Sequence, residues 1–281
     1  MIYIKNQAEI DIIYQGGQIL ARILDKLGQE LKPGASTAQI EDLALSLIKE
    51  AGGRPAFKDY NMGGGIFFPS ALCVSINNEV VHGSSLPDRI VQEGDIVSFD
   101  IGMEWPLQTP EEAQKNNRPY NNHSLGGGFY TDTCRTFAVG KISSLAEKLL
   151  KVTQTALNLG ISQAVAGKTL NDIGKTIEDY IKKEGFSSVR DLVGHGVGYL
   201  AHEDPYVFHY EIGDNSPSNI ILKPGMVIAI EPMINVGKSR VKMASNGYTV
   251  LTADNSLSAH FEHSVAILEP GKGNLILTKL K

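Results

Sequence analysis

Apolar side chains recur at helical spacing in two separate parts of the chain, and each part is followed by short apolar runs. Asn6 and Glu9 have the spacing of a reciprocal helix cap. Ile10, Ile13, Gly17, Leu20, Leu24, Leu27 and Leu31 then mark one stripe, which Lys32-Pro33-Gly34 ends. Ser36 and Gln39 predict a second capped helix that buries Ile40, Leu43, Ala44, Leu47 and Ile48 and stops at Gly52-Gly53. Strand-like runs follow at Ala71–Ile76 and Ile96–Ile101.

The same order then returns. Ser144 and Glu147 predict the start of a helix carrying Leu145, Leu149, Val152, Ala156 and Leu159. Thr169 opens another, with Ile173, Ile177, Tyr180 and Ile181, ending at Gly185. Gly34, Ile40, Ala44, Ile48, Lys49 and Gly52 overlay Gly167, Ile173, Ile177, Ile181, Lys182 and Gly185 at one constant shift. Strands are predicted at Leu192–Gly196, Met226–Glu231, Tyr248–Leu251 and His260–Leu268, with Asn246-Gly247 as a hairpin turn. The expected fold is therefore α+β: one domain over residues 1–281, built from two pseudo-twofold-related halves, each a helix pair followed by antiparallel strands. Between Asp100 and Asp132 the pattern fails. The segment is rich in Asn, Pro and Gly and reads as a loop inserted in a hairpin around 103–129. A second irregular stretch, Gly63-Gly64-Gly65, follows Tyr60.

Composition narrows the class. The 281 residues are 42% hydrophobic and 20% charged, as in a soluble globular protein. A net charge of −5 argues against general affinity for nucleic acid or anionic membrane. No apolar run is long enough for a membrane span, and the N-terminus lacks the apolar core of a signal peptide. Cys73 and Cys134 are expected as free thiols in a cytoplasmic protein, although two cysteines could pair.

The chemistry resides in five positions: Asp100, Asp132, His195, Glu231 and Glu262. Taken singly, an Asp is more often a turn or cap residue than a ligand, and Glu231 reads equally well as a solvent-facing strand end. Together, four carboxylates and one imidazole suit a pair of hard divalent cations whose +4 balances the −4 of the ligands. Glycines flank His195 in Gly194-His195-Gly196-Val197-Gly198, which predicts a sharp turn around an uncrowded imidazole. Alternation along His260-Phe261-Glu262-His263 places His260 and Glu262 on one face.

In their local contexts these five residues resemble the metal ligands of the methionine aminopeptidase family, type I. The resemblance runs through Phe68-Pro69-Ser70-Ala71-Leu72-Cys73, Glu79-Val80-Val81-His82-Gly83, Gly194-His195-Gly196-Val197-Gly198, Ile230-Glu231-Pro232-Met233 and Ala259-His260-Phe261-Glu262-His263. It implies the pita-bread fold and two divalent metal ions, Co, Mn, Fe or Zn. Asp132 and Glu262 would bridge them, Asp100 would hold one, and His195 and Glu231 the other. It also implies attack of a metal-bridging hydroxide on the first peptide bond, with Glu231 as proton shuttle and His82 and His202 binding the substrate amide and stabilising the tetrahedral intermediate. The implied methionine pocket comprises Tyr60, Phe68, Cys73 and Tyr248, with His82 at its edge. The implied substrate is the N-terminal methionine of nascent polypeptides, met in the cytoplasm near the ribosome exit by a monomeric enzyme.

The chain departs from the pattern at the long segment joining the two aspartates. With the glycine stretch, it is expected to narrow the substrate entrance. Ala201 is small, which implies a differently shaped pocket after the cleaved bond. Two other readings fit the ligand set: an Xaa-Pro peptidase of the same fold, separable by its peptide preference, and a non-catalytic ribosome- or RNA-associated binding protein, whose mark would be lost ligands.

Overall fold

In the computed structural model, which describes residues 1–280, five helices surround an antiparallel nine-stranded sheet. Helix α1, Gln7–Glu30, begins at the Asn6–Glu9 reciprocal cap. Of its predicted stripe, Leu31 alone is not buried, because it is the C-cap residue. Helix α2, Thr37–Glu50, is capped by Ser36, which accepts from the Gln39 N–H; the return bond from the Gln39 side chain does not form. Its inner face holds Ile40, Ala44 and Ile48, while Leu43 and Leu47 are only partly buried. Glu41 is buried beside them, where its carboxylate accepts from the Ala71 and Leu72 N–H groups at 2.6 and 3.0 Å and from Ser85 Oγ at 2.8 Å. These bonds tie the helix to the strand that carries Cys73.

Helix α3, Pro110–Lys115, lies in the insertion. Helix α4, Ser144–Gln163, starts one residue earlier than predicted, with Ser143 as the cap. Two adjacent serines can each cap, and taking the earlier one leaves Leu145 47% exposed. Helix α5, Leu170–Glu184, runs from the Thr169–Asp172 box to Gly185 in the left-handed conformation, and it buries Ile173, Ile177 and Ile181. Two large apolar clusters result. One packs α1 and α2 against the first-half strands, and the other packs α4 and α5 against the second-half strands.

The main sheet runs in the order Arg54–Pro55, Ile96–Trp105, Phe129–Ala138, Glu262–Ile267, Val227–Ile230, Gly194–Gly196 and Glu203–Val207. Leu72–Ile76 also pairs with Ile96–Trp105, and Asn274–Ile276 with Glu262–Ile267. Strands of the two halves meet where Glu262 and His263 pair with Cys134 and Thr133. The continuous strand expected over His260–Leu268 is broken at Phe261 into Ser258–His260, which pairs with Met233–Asn235, and Glu262–Ile267 in the main sheet. Asn246-Gly247 is not a two-residue turn. It sits within a longer connection between Val241–Met243 and Val250–Thr252. The Asn246 side chain is bonded inside that loop, accepting from the Tyr248 and Thr249 N–H groups.

The long hairpin strands stay paired out to Trp105 and Phe129, so the loop itself occupies 106–128. It is an ordered structure. Asn121 donates to the Gly128 and Tyr199 carbonyls, Glu104 accepts from the Gly126 and Gly128 N–H groups, and His123 stacks on Tyr199 at 5.1 Å.

Candidate metal centre and cavity

Sheet register places the acidic side chains. Cys73 and Asp100 are opposite one another, Asp100 is opposite Cys134, and Cys134 is opposite Glu262. Asp132 lies two residues from Cys134 along its strand and therefore shares that face. From the other half, Ile228 pairs with both Gly196 and Val265, bringing His195 and the strand end at Glu231 to the same centre. The glycines beside His195 do not make the predicted turn. The segment is a strand squeezed between two neighbours, where a Cβ at Gly194 would strike the Ala229 carbonyl and one at Gly196 the Asp204 carbonyl. Their use is close approach of backbones rather than conformational freedom.

Ligand atoms of Asp132, His195 and Glu262 all lie within 4.8 Å of one another, and all three residues are buried. His195 Nε2 is 3.9 Å from Asp132 Oδ2 and 3.5 Å from Glu231 Oε1. His195 Nδ1 is 2.9 Å from the Gly196 carbonyl, which orients the ring with Nε2 toward the carboxylates. One oxygen each of Asp100, Asp132, Glu231 and Glu262 is buried without a hydrogen-bond partner. Such oxygens are costly unless something positive meets them. Burial raises the Asp100 carboxyl to about 6, with His260 opposing the rise and Glu231 adding to it. Burial raises Glu231 to about 7 against the pull of His195. Asp132 and Glu262 are held well above the carboxylate range by burial and then by their acidic neighbours. Hard oxygen donors, one imidazole and this unbalanced negative charge fit divalent cations.

Above the acidic cluster lies a cavity of about 180 Å³. Every site residue expected from the sequence lines it except Tyr248, which stands behind Phe68 with the rings edge-on at 5.5 Å. Tyr60, Phe68, Cys73, His82, His195, His202 and the four acidic residues share the wall with Phe57, Met62, Val81, Leu192, Val193 and Met233. Those six came without a local signal, because an apolar residue in a core and one in a pocket look alike in sequence. The glycine stretch turns the Asn61–Gly63 and Ile66–Phe67 hairpin, which delivers Met62 to the cavity. The 106–128 loop supplies none of the lining residues; its Leu125 borders a separate groove beside Tyr60. Ala201 precedes His202 at the cavity edge.

His82 has a left-handed backbone, with φ of 57°, and its carbonyl accepts from Thr249 Oγ1 at 3.0 Å. Burial, then His260, lowers its ring pKa to about 4. His202 is exposed at the cavity mouth and packs against Tyr60 at 4.9 Å and His195 at 4.4 Å. The protein around the ring, followed by His195 and His82, pushes its pKa well down. Both imidazoles are therefore neutral at pH 7. Two further buried histidines, without a local signal in the sequence for this placement, adjoin Glu231. His209 Nε2 accepts the Glu231 N–H at 3.0 Å, and His260 Nε2 lies 3.5 Å from Glu231 Oε2. Cys73 and Cys134 are free and buried, and burial followed by Asp100 raises both thiols.

Among the described residues no helix is long and apolar enough to cross a membrane. Residues 11–107 and 124–269 match the model of metallopeptidase family M24, with a gap that falls inside the inserted loop. The methionine aminopeptidase of Clostridium acetobutylicum is 42% identical over 277 residues, covering 99% of each chain. The solved methionine aminopeptidase of Thermotoga maritima superposes with a TM-score of 0.86 at 34% identity and covers both chains completely. The prolidase of Pyrococcus furiosus shares the fold, with a TM-score of 0.68 and 23% identity, but this chain spans only 66% of it. The pita-bread architecture, the divalent-metal chemistry and the match along essentially the whole length agree, and the chain belongs to the methionine aminopeptidases of metallopeptidase family M24.

Proposed function

We propose that this protein hydrolyses the first peptide bond of chains beginning with methionine, using two divalent cations held by Asp100, Asp132, His195, Glu231 and Glu262. One observation carries this reading. A cluster of buried, unpartnered carboxylate oxygens forms one wall of a small cavity whose other walls are apolar and sulfur-bearing: Phe57, Met62, Phe68, Cys73 and Met233. An unbranched thioether fits such a wall, since sulfur packs well against aromatic edges.

Asp100, Asp132, His195, Glu231 and Glu262 would hold the cations, with the unpartnered oxygens of the four carboxylates and the His195 imidazole as donors. Cations held there would supply Lewis acidity toward the scissile carbonyl and the attacking water. The protein's own groups do the rest. The cavity places the methionine side chain, which holds the scissile carbonyl beside the carboxylates. Glu231 takes the proton from the attacking water and returns it to the departing amine. His82 and His202, neutral and at the cavity wall, donate to the carbonyl oxygen and accept from the substrate amide, and they favour the tetrahedral state over the planar one. Tyr60 closes one side of the first subsite by packing on His202. Tyr248 acts through Phe68, which it buttresses. The substrates are nascent polypeptides in the cytoplasm, met by a monomeric enzyme near the ribosome exit. The two buried free thiols and the acidic net charge support a reducing compartment and a peptide substrate rather than nucleic acid.

Turnover of Met-Ala-Ser and Xaa-Pro peptides tests the reading, with the protein stripped of metal and reloaded with Mn, Fe, Co or Zn. Methionine release that requires added cation is expected. Cleavage confined to Xaa-Pro bonds, or full activity of Glu231→Ala, would overturn it.

A further inference from the structure

Glu231 has two oxygens with different surroundings. Oε1 faces His195 Nε2 and is otherwise unpartnered, whereas Oε2 faces His260 Nε2 at 3.5 Å. His260 is fully buried, and neither of its ring nitrogens has a hydrogen-bond partner. A buried imidazole left in that state is costly, so its position calls for a reason.

The backbone around His260 is fixed on every side. Its N–H donates to Thr136 Oγ1 at 2.9 Å, and its carbonyl accepts from Thr136 Oγ1 at 2.8 Å and from the Cys134 thiol. Ser98 Oγ meets Thr136 Oγ1 at 2.8 Å, which extends the support to the strand that carries Asp100. His260 also pairs in register with Met233, two residues beyond Glu231. With the backbone held and the residue fully buried, the ring has little room to leave the carboxylate. Glu231, by contrast, follows the end of its strand, and its own backbone N–H is held by His209.

We propose that His260 is a positioning residue for Glu231. Its Nε2–H donates to Oε2, which locks the carboxylate rotamer and leaves Oε1 directed at His195 and the acidic cluster. The inference rests on the role assigned to Glu231 above. Catalytic hydrogen bonds are often long in an unliganded site and tighten when the site is filled, so the 3.5 Å approach is the starting geometry for this bond. Groups that orient a metal-binding side chain from behind influence affinity and rate without touching substrate.

The test uses the full chain with His260→Leu, His260→Gln and His260→Asn. Kinetics on a Met-Ala-Ser peptide and Mn titration calorimetry of the stripped protein are the two readouts. Removing the donor in His260→Leu lowers kcat and Mn affinity by roughly 10- to 100-fold, with KM and the number of cations bound unchanged. A Gln amide nitrogen falls near the place of Nε2, and an Asn amide near that of Nδ1. His260→Gln therefore restores both readouts, and His260→Asn does not. This contrast between two polar variants holds even if the Leu variant fails to fold.

Equal behaviour of Gln and Asn, or wild-type kcat in the Leu or Asn variant, overturns the proposal. So does loss of one cation from the Leu or Asn variant, which would make His260 a ligand. Glu231→Ala run alongside separates the two failures. If it is fully active, the reading of Glu231 itself is wrong. If it is inactive while all three His260 variants work, only the present inference falls.

Discussion

Glu231→Gln should stabilise the metal-free protein, by an amount that depends on pH. Burial moves the Glu231 carboxyl from its ordinary value of 4.5 to about 7 in the folded chain. The folded state therefore binds a proton more tightly than the unfolded state does. Below about pH 4 both states carry that proton and the shift costs nothing. Between the two values the unfolded chain releases its proton first, so stability falls as pH rises, and the full cost is present above pH 7. At about 1.4 kcal/mol per pKa unit the cost reaches roughly 3 kcal/mol. Gln keeps the shape and cannot ionise, so the cost disappears.

The assay is thermal unfolding in chelator at several pH values, read as the difference between Glu231→Gln and wild type. His209 and His263, which do not touch the Glu231 side chain, cancel in that difference; their depressed values of about 3 and about 4 act in the opposite direction. The variant should match wild type near pH 4 and exceed it by about 5–10 °C at pH 8, given about 2–4 °C per kcal/mol for a chain somewhat smaller than this one. With saturating Mn the order should reverse, because the carboxylate is then paired. A metal-free variant no more stable than wild type at pH 8 would refute the electrostatic argument.

Four other outcomes follow from the geometry. Metal binding should release protons at pH 5.5 and fewer at pH 8, since cations displace protons from Asp100 and Glu231, and calorimetry in buffers of different ionisation enthalpy measures this. His82→Ala and His202→Ala should each lower kcat by roughly 10²- to 10³-fold while the bound-metal content stays that of wild type, as element analysis will report. Lys5→Met leaves Glu203 buried without its cation, 2.5 Å away in the intact pair, and should cost about 3–5 kcal/mol in denaturant unfolding. Because Glu203 also accepts from the Tyr199 and Leu200 N–H groups just before His202, kcat should fall as well. Replacing the interior of the 106–128 loop by a short turn should leave KM for a tripeptide unchanged, since the loop lines none of the cavity; a raised KM would show that it shapes the entrance.

The helices are legible wherever caps and periodicity coincide, as at Asn6–Glu9 and at Thr169. Where two serines compete, the sequence alone places the start of α4 one residue late. The break at Phe261 has no local signature, because no Gly or Pro marks it and the change of sheet is set by distant partners. The five acidic and histidine positions are legible only as an ensemble, because each alone reads as a turn, cap or strand-end residue, whereas together they form a hard donor set for divalent cations. Gly194 and Gly196 are visible in the sequence, but their purpose is not, since the crowding strands lie far away in it. His260 was visible as a neighbour of Glu262, and only the fold reveals that it faces Glu231. Buried Glu41 had no local signal, because its three donors lie 30 or more residues further along the chain.

Anomalous scattering from crystals of the Mn-loaded protein, collected at the metal edge, tests the central claim most directly. Two peaks are expected in the cavity, both in contact with Asp132 and Glu262, one also with Asp100 and the other with His195 and Glu231. A single peak at full occupancy, or peaks away from these five side chains in a catalytically active preparation, would contradict it.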